Sequence, residues 1–513
     1  MNIPSTPARR LCAAASLVAA AGVAASVLVA APAQAGTPAD PPANGMPAPT
    51  PGFPLPTSHS QAAYAPESAF TAKWTRADAK QIMAQASTAA PFGGNSLHPD
   101  VTMPEIPRDF PVMKDPNGGQ VWVWDTWPLT DESGNQVSYK GWDVVFSLVA
   151  DPKAGYSFDE RHFNARIGYW FRPAGHPESD WVYGGHLFRD GTTLGKAEWS
   201  GSTRILEGGK LATFYTAVTD YPGTGAPMKS VIAKSEGRLK ADAKGVSIEG
   251  FTKHTQLLEP DGKMYQTGGQ NRYYAFRDPY TFEDPAYPGK TFMVFEGNTG
   301  GKAGELQCSA ADLGGSGEDP KAVSDSGARF QAANVGLAVA DSKKLDSWKL
   351  LPPILSANCV NDQTERPQIF IQNEDGRNKY YLFTISHQFT YAAGLRGPDG
   401  VYGFVGDGIR SDFQPLNNSG LALANPTNLS VPSWDPAANP RQFQSYSHYV
   451  MPGGLVESFI DNVDGRRGGT LAPTVKLNFK GGVSQVDRSF GRNGLGPYGF
   501  IPSNIQAGGN GHY

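Results

Sequence analysis

The stretch VWVWDTWPL, residues 121–129, opens the part of the chain that decides the fold. Valine and tryptophan dominate this stretch, which is typical of a buried β-strand, and a single carboxylate, Asp125, lies between Trp124 and Trp127. An ionised aspartate among apolar side chains costs free energy unless another group pairs with it or a reaction uses its charge. The stretch therefore predicts a strand and raises the question of what Asp125 does.

Short strand-like runs of the same kind continue along the chain, separated by Gly, Pro, Asn and Asp. Examples are ARIGYWFRP at 165–173, KLATFYTAVTD at 210–220, KTFMVFEGNTG at 290–300 and KYYLFTISH at 379–387. No comparable helical pattern interrupts them, so a parallel βαβ sheet is not expected, and a sandwich, barrel or propeller remains. The length of this region favours an all-β propeller, although the runs do not repeat clearly enough to count its blades.

One short helical segment is predicted ahead of the β region. Thr75 and Asp78 have the spacing of a capping box at a helix start. The apolar residues that recur at the spacing of a single buried stripe are Ala79, Ile82, Met83 and Ala86.

The N-terminus has the features of an export signal. Arg9 and Arg10 precede an apolar run over 11–31, and APAQA ends in a small-x-small cleavage pattern at Ala35. This pattern predicts a signal peptide over 1–35 and a secreted protein, extracellular or periplasmic. The alternative is a transmembrane anchor, because the run is long enough to cross a bilayer.

Composition divides the rest of the chain into two parts. Residues 36–66 are rich in proline and poor in large apolar groups, which predicts a flexible leader. Residues 67–513 are expected to form one catalytic domain. The net charge of −4 and the lack of Lys/Arg runs argue against a nucleic-acid partner, and no membrane contact is expected after signal cleavage.

Three cysteines constrain the redox state. Cys12 lies in the predicted signal peptide, so the mature chain would keep Cys308 and Cys359. Two cysteines in an oxidising compartment favour one disulfide, with two buried free thiols as the alternative.

Three carboxylates stand out as candidates for chemistry, whereas serine-hydrolase, zinc-protease and P-loop motifs are missing from the sequence. They are Asp125, Asp278 in FRDPY (276–280) and Glu365 in NDQTERPQIF (361–370). Aromatic and arginine neighbours suit a sugar substrate, on which two carboxyls can share nucleophilic and acid/base roles. Structural ion pairs or turn aspartates are the alternative for each of them.

Several motifs occur here in the order found in levansucrases. They are VWDTWPL, EWSGS at 198–202, FRDPY, FEGNTG at 295–300, DQTERPQIF at 362–370 and YYLFTISH at 380–387. Over roughly residues 75–480 the sequence resembles the levansucrase/inulosucrase family of bacterial sucrose fructosyltransferases, Gram-negative type.

The resemblance implies a five-bladed β-propeller with a funnel-shaped central active site. It gives Asp125 the position of the nucleophile that forms a covalent fructosyl-enzyme, and Glu365 that of the general acid/base. Asp278 falls on the carboxylate that stabilises the oxocarbenium-like transition state. The resemblance further implies an enzyme that takes sucrose as donor and a fructan or oligosaccharide as acceptor. It implies no cofactor, and we expect a monomer.

The resemblance also implies a set of substrate-binding residues: Trp124, Trp199, Ser200, Arg277, Gln363, Arg366 and His387. Gln363 departs from the family, which usually has an acidic residue there, so its contact to the glucosyl or acceptor unit is in question. The Cys308/Cys359 pair resembles the Gram-negative branch, in which a disulfide replaces a structural calcium site. We therefore expect no required metal.

A second aspartate needs to be weighed as nucleophile. Asp115 in KDPNGG (114–119) resembles the nucleophile segment of the invertase/inulinase relatives. The preceding Trp and Asn of that family are absent here, and TERP replaces its Glu-Cys-Pro. An Asp-Pro-Asn-Gly turn is therefore the favoured interpretation.

The expected function is a levansucrase that transfers fructosyl units to a growing β-2,6-fructan, to sucrose or oligosaccharides, or to water. Alternatives are an inulosucrase-type or short-fructooligosaccharide-forming transferase and a sucrose hydrolase (β-fructofuranosidase). A secreted propeller lectin is disfavoured, because binding alone needs no nucleophile.

Overall fold

The computed structural model describes residues 62–87, 96–220, 228–428, 437–499, 501 and 506–507. The predicted signal peptide and the leader up to residue 61 lie outside the described residues. At the end of the predicted leader, the strand Ala63–Tyr64 pairs with Arg410–Ser411. In the described part of the chain, no helix combines the length and apolar character needed to cross a membrane.

The described strands form five antiparallel blades in a ring, which confirms the predicted five-bladed β-propeller. Each blade contributes one strand, called here its inner strand, that contacts the inner strands of both neighbouring blades. In blade order, the inner strands are Trp122–Thr130, Ala197–Leu206, Phe276–Glu283, Glu365–Glu374 and Ser445–Val450. The fifth contacts the first, so the ring closes around a central axis.

The outer strands complete the blades. Blade 1 adds Trp142–Ala150, Arg166–Pro173 and Val182–His186. Blade 2 adds Lys210–Asp220, Lys229–Asp242 and Gly245–Leu258. Blade 3 adds Thr291–Asn298, Ala333–Ala340 and Trp348–Ser356. Blade 4 adds Arg377–Ser386, Gly400–Gly406, Gln414–Pro415 and Leu421–Ala424. Blade 5 adds Leu455–Val463, Arg466–Leu471, Val475–Lys480 and Val483–Val486. Short strands at the edges are Ala72–Lys73, Ala86–Ser87, Ser96–Leu97, Ser138–Tyr139 and Gln506–Ala507.

Packing between blades explains why the runs in the sequence are nearly continuous in apolar residues. A second strand such as Thr291–Asn298 is buried along its whole length, because other blades cover both of its faces. Blades 1 and 2 also join by parallel pairing of Leu129 with Thr203. The indole Nε1 of Trp127 donates to Thr203 Oγ1 at 3.1 Å across the same boundary.

The N-terminal helical segment is shorter than its sequence pattern predicts. Thr75 and Asp78 form the expected capping box, but the α-helix spans only Arg76–Lys80 and continues as a 3₁₀ helix over Gln81–Gln85. The 3₁₀ turn shifts the angular spacing, so Met83 is exposed and its predicted place in the buried stripe is wrong. Ala86 lies in a strand rather than in the helix.

Other helices are short and lie between strands. The α-helices are Ala310–Leu313 and Pro320–Asp325, and the 3₁₀ helices are Pro99–Val101, Phe158–Asn164, Glu207–Gly209, Ala328–Phe330, Gln388–Thr390 and Leu416–Asn418. The predicted disulfide is confirmed: Cys308, just before the first of these α-helices, bonds to Cys359. It ties the helical insertion of blade 3 to the segment that leads into the inner strand of blade 4.

Removing this disulfide should destabilise the fold. It closes a loop of 51 positions, and chain entropy then gives a stabilisation of about 4 kcal/mol. Denaturant unfolding of Cys308→Ser/Cys359→Ser, compared with the wild type, measures the loss. A titration that finds two free thiols in the native protein would contradict the pairing.

Candidate active site

A bulge occurs near the start of all five inner strands, at the same level of the ring. The pairing register shifts between Trp124 and Thr126 in blade 1, and at matching points in the other four blades. In four of the bulges a residue other than glycine has a left-handed backbone: Asp125 (φ 42°), Asp278 (φ 61°), Arg366 (φ 46°) and Ser447 (φ 58°). Such conformations are costly and bulges redirect side chains, so the ring gathers polar groups at one point on its axis.

Asp125 is held by two hydroxyl groups from different blades. Ser200 Oγ donates to its Oδ2, and Ser447 Oγ donates to its Oδ1. Hydrogen bonds to both carboxylate oxygens compensate its removal from water and fix its orientation. This is how the fold accommodates a charge between Trp124 and Trp127.

Arg366 links this carboxylate to Asp278. Its Nη1 donates to Ser447 O at 2.6 Å and to Ser447 Oγ at 2.8 Å, and its Nη2 donates to Thr126 O. The backbone N–H of Arg366 donates to Asp278 Oδ2 at 3.2 Å. One buried arginine therefore braces three blades and adds positive charge beside two carboxylates.

Asp278 is buried in the floor of the funnel. Its backbone N–H donates to Thr216 Oγ1 at 2.8 Å. Burial raises the pKa of its carboxyl from 3.8 to about 7, opposed by Arg277 and reinforced by the negative charges of Glu365 and Asp125. The three predicted catalytic carboxylates are thus close enough to influence one another.

Glu365 has two strong donors. Arg277 Nη2 donates to its Oε1 at 2.9 Å, and the Tyr446 hydroxyl donates to its Oε2 at 2.7 Å. Arg277 also forms an ion pair with Glu296, with its Nε 2.5 Å from Glu296 Oε2. Although burial lowers the pKa of Arg277, the negative charges of Glu296, Glu365 and Asp278 raise it overall.

Both predicted tryptophans rest on one 3₁₀ helix, Phe158–Asn164. Trp199 Nε1 donates to His162 O at 2.8 Å. The guanidinium of Arg161 lies 5.1 Å from the Trp124 ring centroid, and the His162 ring meets that indole edge-on at 5.8 Å. The helix starts with a capping box, Ser157 with Glu160. The tryptophans are therefore fixed before any ligand binds.

Gln363 and His387 lie near Glu365. The backbone N–H of Gln363 donates to Asn361 Oδ1 at 2.9 Å, while its side-chain Oε1 is buried without a hydrogen-bond partner among the described residues. The His387 ring stacks on Tyr446 at 3.8 Å, and its Nδ1 lies 3.0 Å from Asp399 Oδ2. Burial lowers the pKa of His387, but Asp399 raises it to a net increase.

Asp115 is remote from this network. Its Oδ1 accepts the backbone N–H groups of Asn117 and Gly119, both at 2.8 Å, and its own N–H donates to Gly119 O. These contacts form the Asp-Pro-Asn-Gly turn that the sequence favours.

The structure brings together every residue that the sequence assigns to the site, and adds others. Glu296, Tyr446 and Ser447 contact the charged groups directly, and Arg161 and His162 support the tryptophans. Only FEGNTG, which contains Glu296, carried a sequence signal. Among the described residues no group of three or more His, Cys, Asp or Glu could hold a metal ion, and the absence of a required metal stays a prediction.

Comparison with known proteins agrees with this geometry. Residues 63–502 match the family described as Levansucrase/Invertase. A levansucrase of Gluconacetobacter diazotrophicus is 54% identical over 88% of this chain and 82% of its own length. The crystal structure of levansucrase from that organism aligns with a TM-score of 0.83 at 53% identity, covering 89% of this chain and 98% of that chain. Full-length β-fructofuranosidase from Microbacterium saccharophilum K-1 aligns with a TM-score of 0.82 at 51% identity, covering 89% and 91%.

The burial of Asp278 predicts a pH-dependent effect on stability. With its pKa raised from 3.8 to about 7, the folded protein keeps a proton that the unfolded chain releases across that window, so this group destabilises the fold as pH rises. Asp278→Asn lacks this effect. The melting temperature of the variant relative to wild type should therefore increase from about pH 4 to about pH 7.

Thermal unfolding of both proteins across this range measures the trend. Asp115→Asn, in a turn outside the site, is the matched control. A difference between Asp278→Asn and wild type that stays constant with pH would contradict the prediction.

Proposed function

Since this chain belongs to the levansucrase/invertase family, we propose that Asp125, Glu365 and Asp278 divide the steps of fructosyl transfer between them. The protein is a sucrose-acting fructosyltransferase of the levansucrase type. The observation that supports these roles is the convergence of the three carboxylates, since the charges of Glu365 and Asp125 both act on Asp278. Among the described residues, Asp125 accepts from two serine hydroxyls, and Glu365 accepts from a guanidinium and a phenol.

In the first step Asp125 attacks C2 of the fructosyl unit. The new bond joins C2 to a carboxylate oxygen, and the bond from C2 to the glucosyl oxygen breaks. Its electron pair goes to that oxygen, which takes a proton from Glu365, and glucose leaves. The two serine hydroxyls keep the attacking oxygen pointed along one direction.

In the second step an acceptor hydroxyl loses its proton to Glu365 and attacks C2, and the ester to Asp125 breaks. Two displacements at C2 retain its configuration. Asp278 accepts hydrogen bonds from fructosyl hydroxyls and stabilises the positive charge that develops at C2 in both transition states. The N–H of Arg366, which donates to Asp278, keeps that carboxylate in place.

The remaining site residues bind the substrate. Trp199 is partly exposed and offers a rigid aromatic surface, whereas Trp124 is buried beside it and its Nε1 has no partner among the described residues. Gln363 Oε1 is also buried and unpartnered there, so it is free to accept from a glucosyl or acceptor hydroxyl. Ser200, Arg277, Arg366 and His387 complete the polar lining.

Three finer features of the function are proposed from the similarity to levansucrases and from the fold. We propose a β-2,6-linked fructan as the main product. Export to an oxidising compartment is supported by the Cys308–Cys359 bond. The described blades close into a ring within one chain, so a single copy holds the site described above, and we propose a monomer. Hydrolysis of sucrose is the second candidate, favoured by the 51% identity to a β-fructofuranosidase. Free glucose in excess of free fructose after incubation with sucrose separates transfer from hydrolysis.

Asp125→Asn should abolish turnover, because an amide cannot form the fructosyl ester. We expect glucose release from sucrose to fall by about 10³-fold or more, with sucrose binding retained. Asp115→Asn makes the same chemical change in the Asp-Pro-Asn-Gly turn and should keep wild-type activity. An active Asp125→Asn alongside an inactive Asp115→Asn would reverse the assignment of the nucleophile.

Glu365→Gln should affect substrates according to their leaving group. Sucrose needs a proton on the departing glucosyl oxygen, so its cleavage should fall by about 10²-fold or more. A fructoside with an activated leaving group should still form the covalent intermediate. Glu374→Gln, the same change at the far end of the same strand, is the control. Equal losses on both substrates would argue against an acid/base role for Glu365.

A further inference from the structure

Three aromatic rings lie parallel to one another between Glu365 and the surface. The Tyr446 ring, whose hydroxyl donates to Glu365, stacks on His387 with centroids 3.8 Å apart and planes 14° apart. On its other side, His387 stacks on Phe389 at 4.7 Å and 17°. Exposure increases along the row: Tyr446 is 8% exposed, the His387 side chain 25% and Phe389 67%.

Phe389 is the most exposed large hydrophobic side chain among the described residues. A single exposed aromatic residue is ordinary in itself. What distinguishes Phe389 is its orientation, because the ring is parallel to His387 and leaves its outer face to solvent. The row therefore leads outward from the acid/base and ends in an open aromatic face.

The turn that carries Phe389 is held on both sides. The N–H of Gln388 donates to Asp399 Oδ1 at 2.7 Å, and Thr390 Oγ1 is 2.6 Å from Asn361 Oδ1. Asn361 Oδ1 also accepts the N–H of Gln363. The aromatic face is thus fixed relative to both Glu365 and Gln363, so a ligand would find it already ordered.

The chemistry at Glu365 identifies what would occupy this face. The attacking acceptor hydroxyl must lie at Glu365, so the rest of a sugar acceptor extends from there towards the open side of the funnel. The C–H groups of a sugar ring carry slight positive charge and suit the negative face of an aromatic ring.

We propose that Phe389 forms an acceptor subsite, where a fructosyl unit of an oligosaccharide or growing fructan stacks during transfer. This inference rests on the proposed function and adds a binding residue to it. Contact at Phe389 lengthens the time an acceptor chain stays in the site, which favours transfer over hydrolysis and elongation over release.

The first test compares products from equal amounts of consumed sucrose. Phe389→Ala should shorten the products and raise the fraction of free fructose, while the rate of glucose release falls less than about twofold. Phe389→Trp, which keeps an aromatic face, should retain elongation. Tyr64→Ala is the control: Tyr64 is a partly exposed aromatic residue that pairs with Arg410, at the end of blade 4 opposite the site.

The second test measures binding without turnover. Calorimetric titration of a purified short fructooligosaccharide into Asp125→Asn should give an affinity about fivefold higher than into Asp125→Asn/Phe389→Ala. Equal affinities, unchanged products in Phe389→Ala, or equal defects in Phe389→Ala and Phe389→Trp would overturn the subsite. If the wild type released no glucose from sucrose, the proposed function itself would fail, which is a distinct outcome.

Discussion

The site depends on one constraint: several carboxylates lie close together in a buried place, so positive charge must lie beside them. Arg277 bonds to Glu296 at 2.5 Å and to Glu365 at 2.9 Å, and Arg366 lies between Asp278 and the Asp125 hydroxyl ligand Ser447. Without these two cations, desolvation and mutual repulsion would protonate the carboxylates or force the blades apart. Each arginine therefore joins neighbouring blades and offsets part of the repulsion between these carboxylates.

The site also requires that polar side chains from several blades point towards the propeller axis. An inner strand in regular pairing alternates its side chains between faces, which would bring few of them to the axis. A bulge at the same level in every blade breaks the alternation there. The left-handed residues at Asp125, Asp278, Arg366 and Ser447 are tolerated because neighbouring blades fix the backbone around them.

Local patterns in the sequence predicted what depends on local chemistry: the strands, the capping box at Thr75 and the cysteine pair. The aromatic and arginine neighbours singled out the three carboxylates, and motif resemblance predicted their roles and the number of blades. Neither revealed Ser447 as a ligand of Asp125, because the two residues are 322 positions apart and only ring closure brings them together. The prediction that Met83 is buried was wrong for a local reason. The chain changes to 3₁₀ geometry there, which alters the periodicity that the prediction assumed.

The choice between a sugar and water as acceptor must depend on residues beyond the floor. In the proposed mechanism, forming the fructosyl-enzyme involves the same three carboxylates whichever acceptor follows. Relatives described as levansucrase and as β-fructofuranosidase are similar to this chain to nearly the same degree. In that mechanism water needs only the proposed base, Glu365, to react. A sugar must also lose its freedom of motion, so it competes only where further contacts offset that cost. The row from Tyr446 to Phe389 begins at the proposed base, and the subsite that we propose at Phe389 would provide such contacts to an acceptor chain.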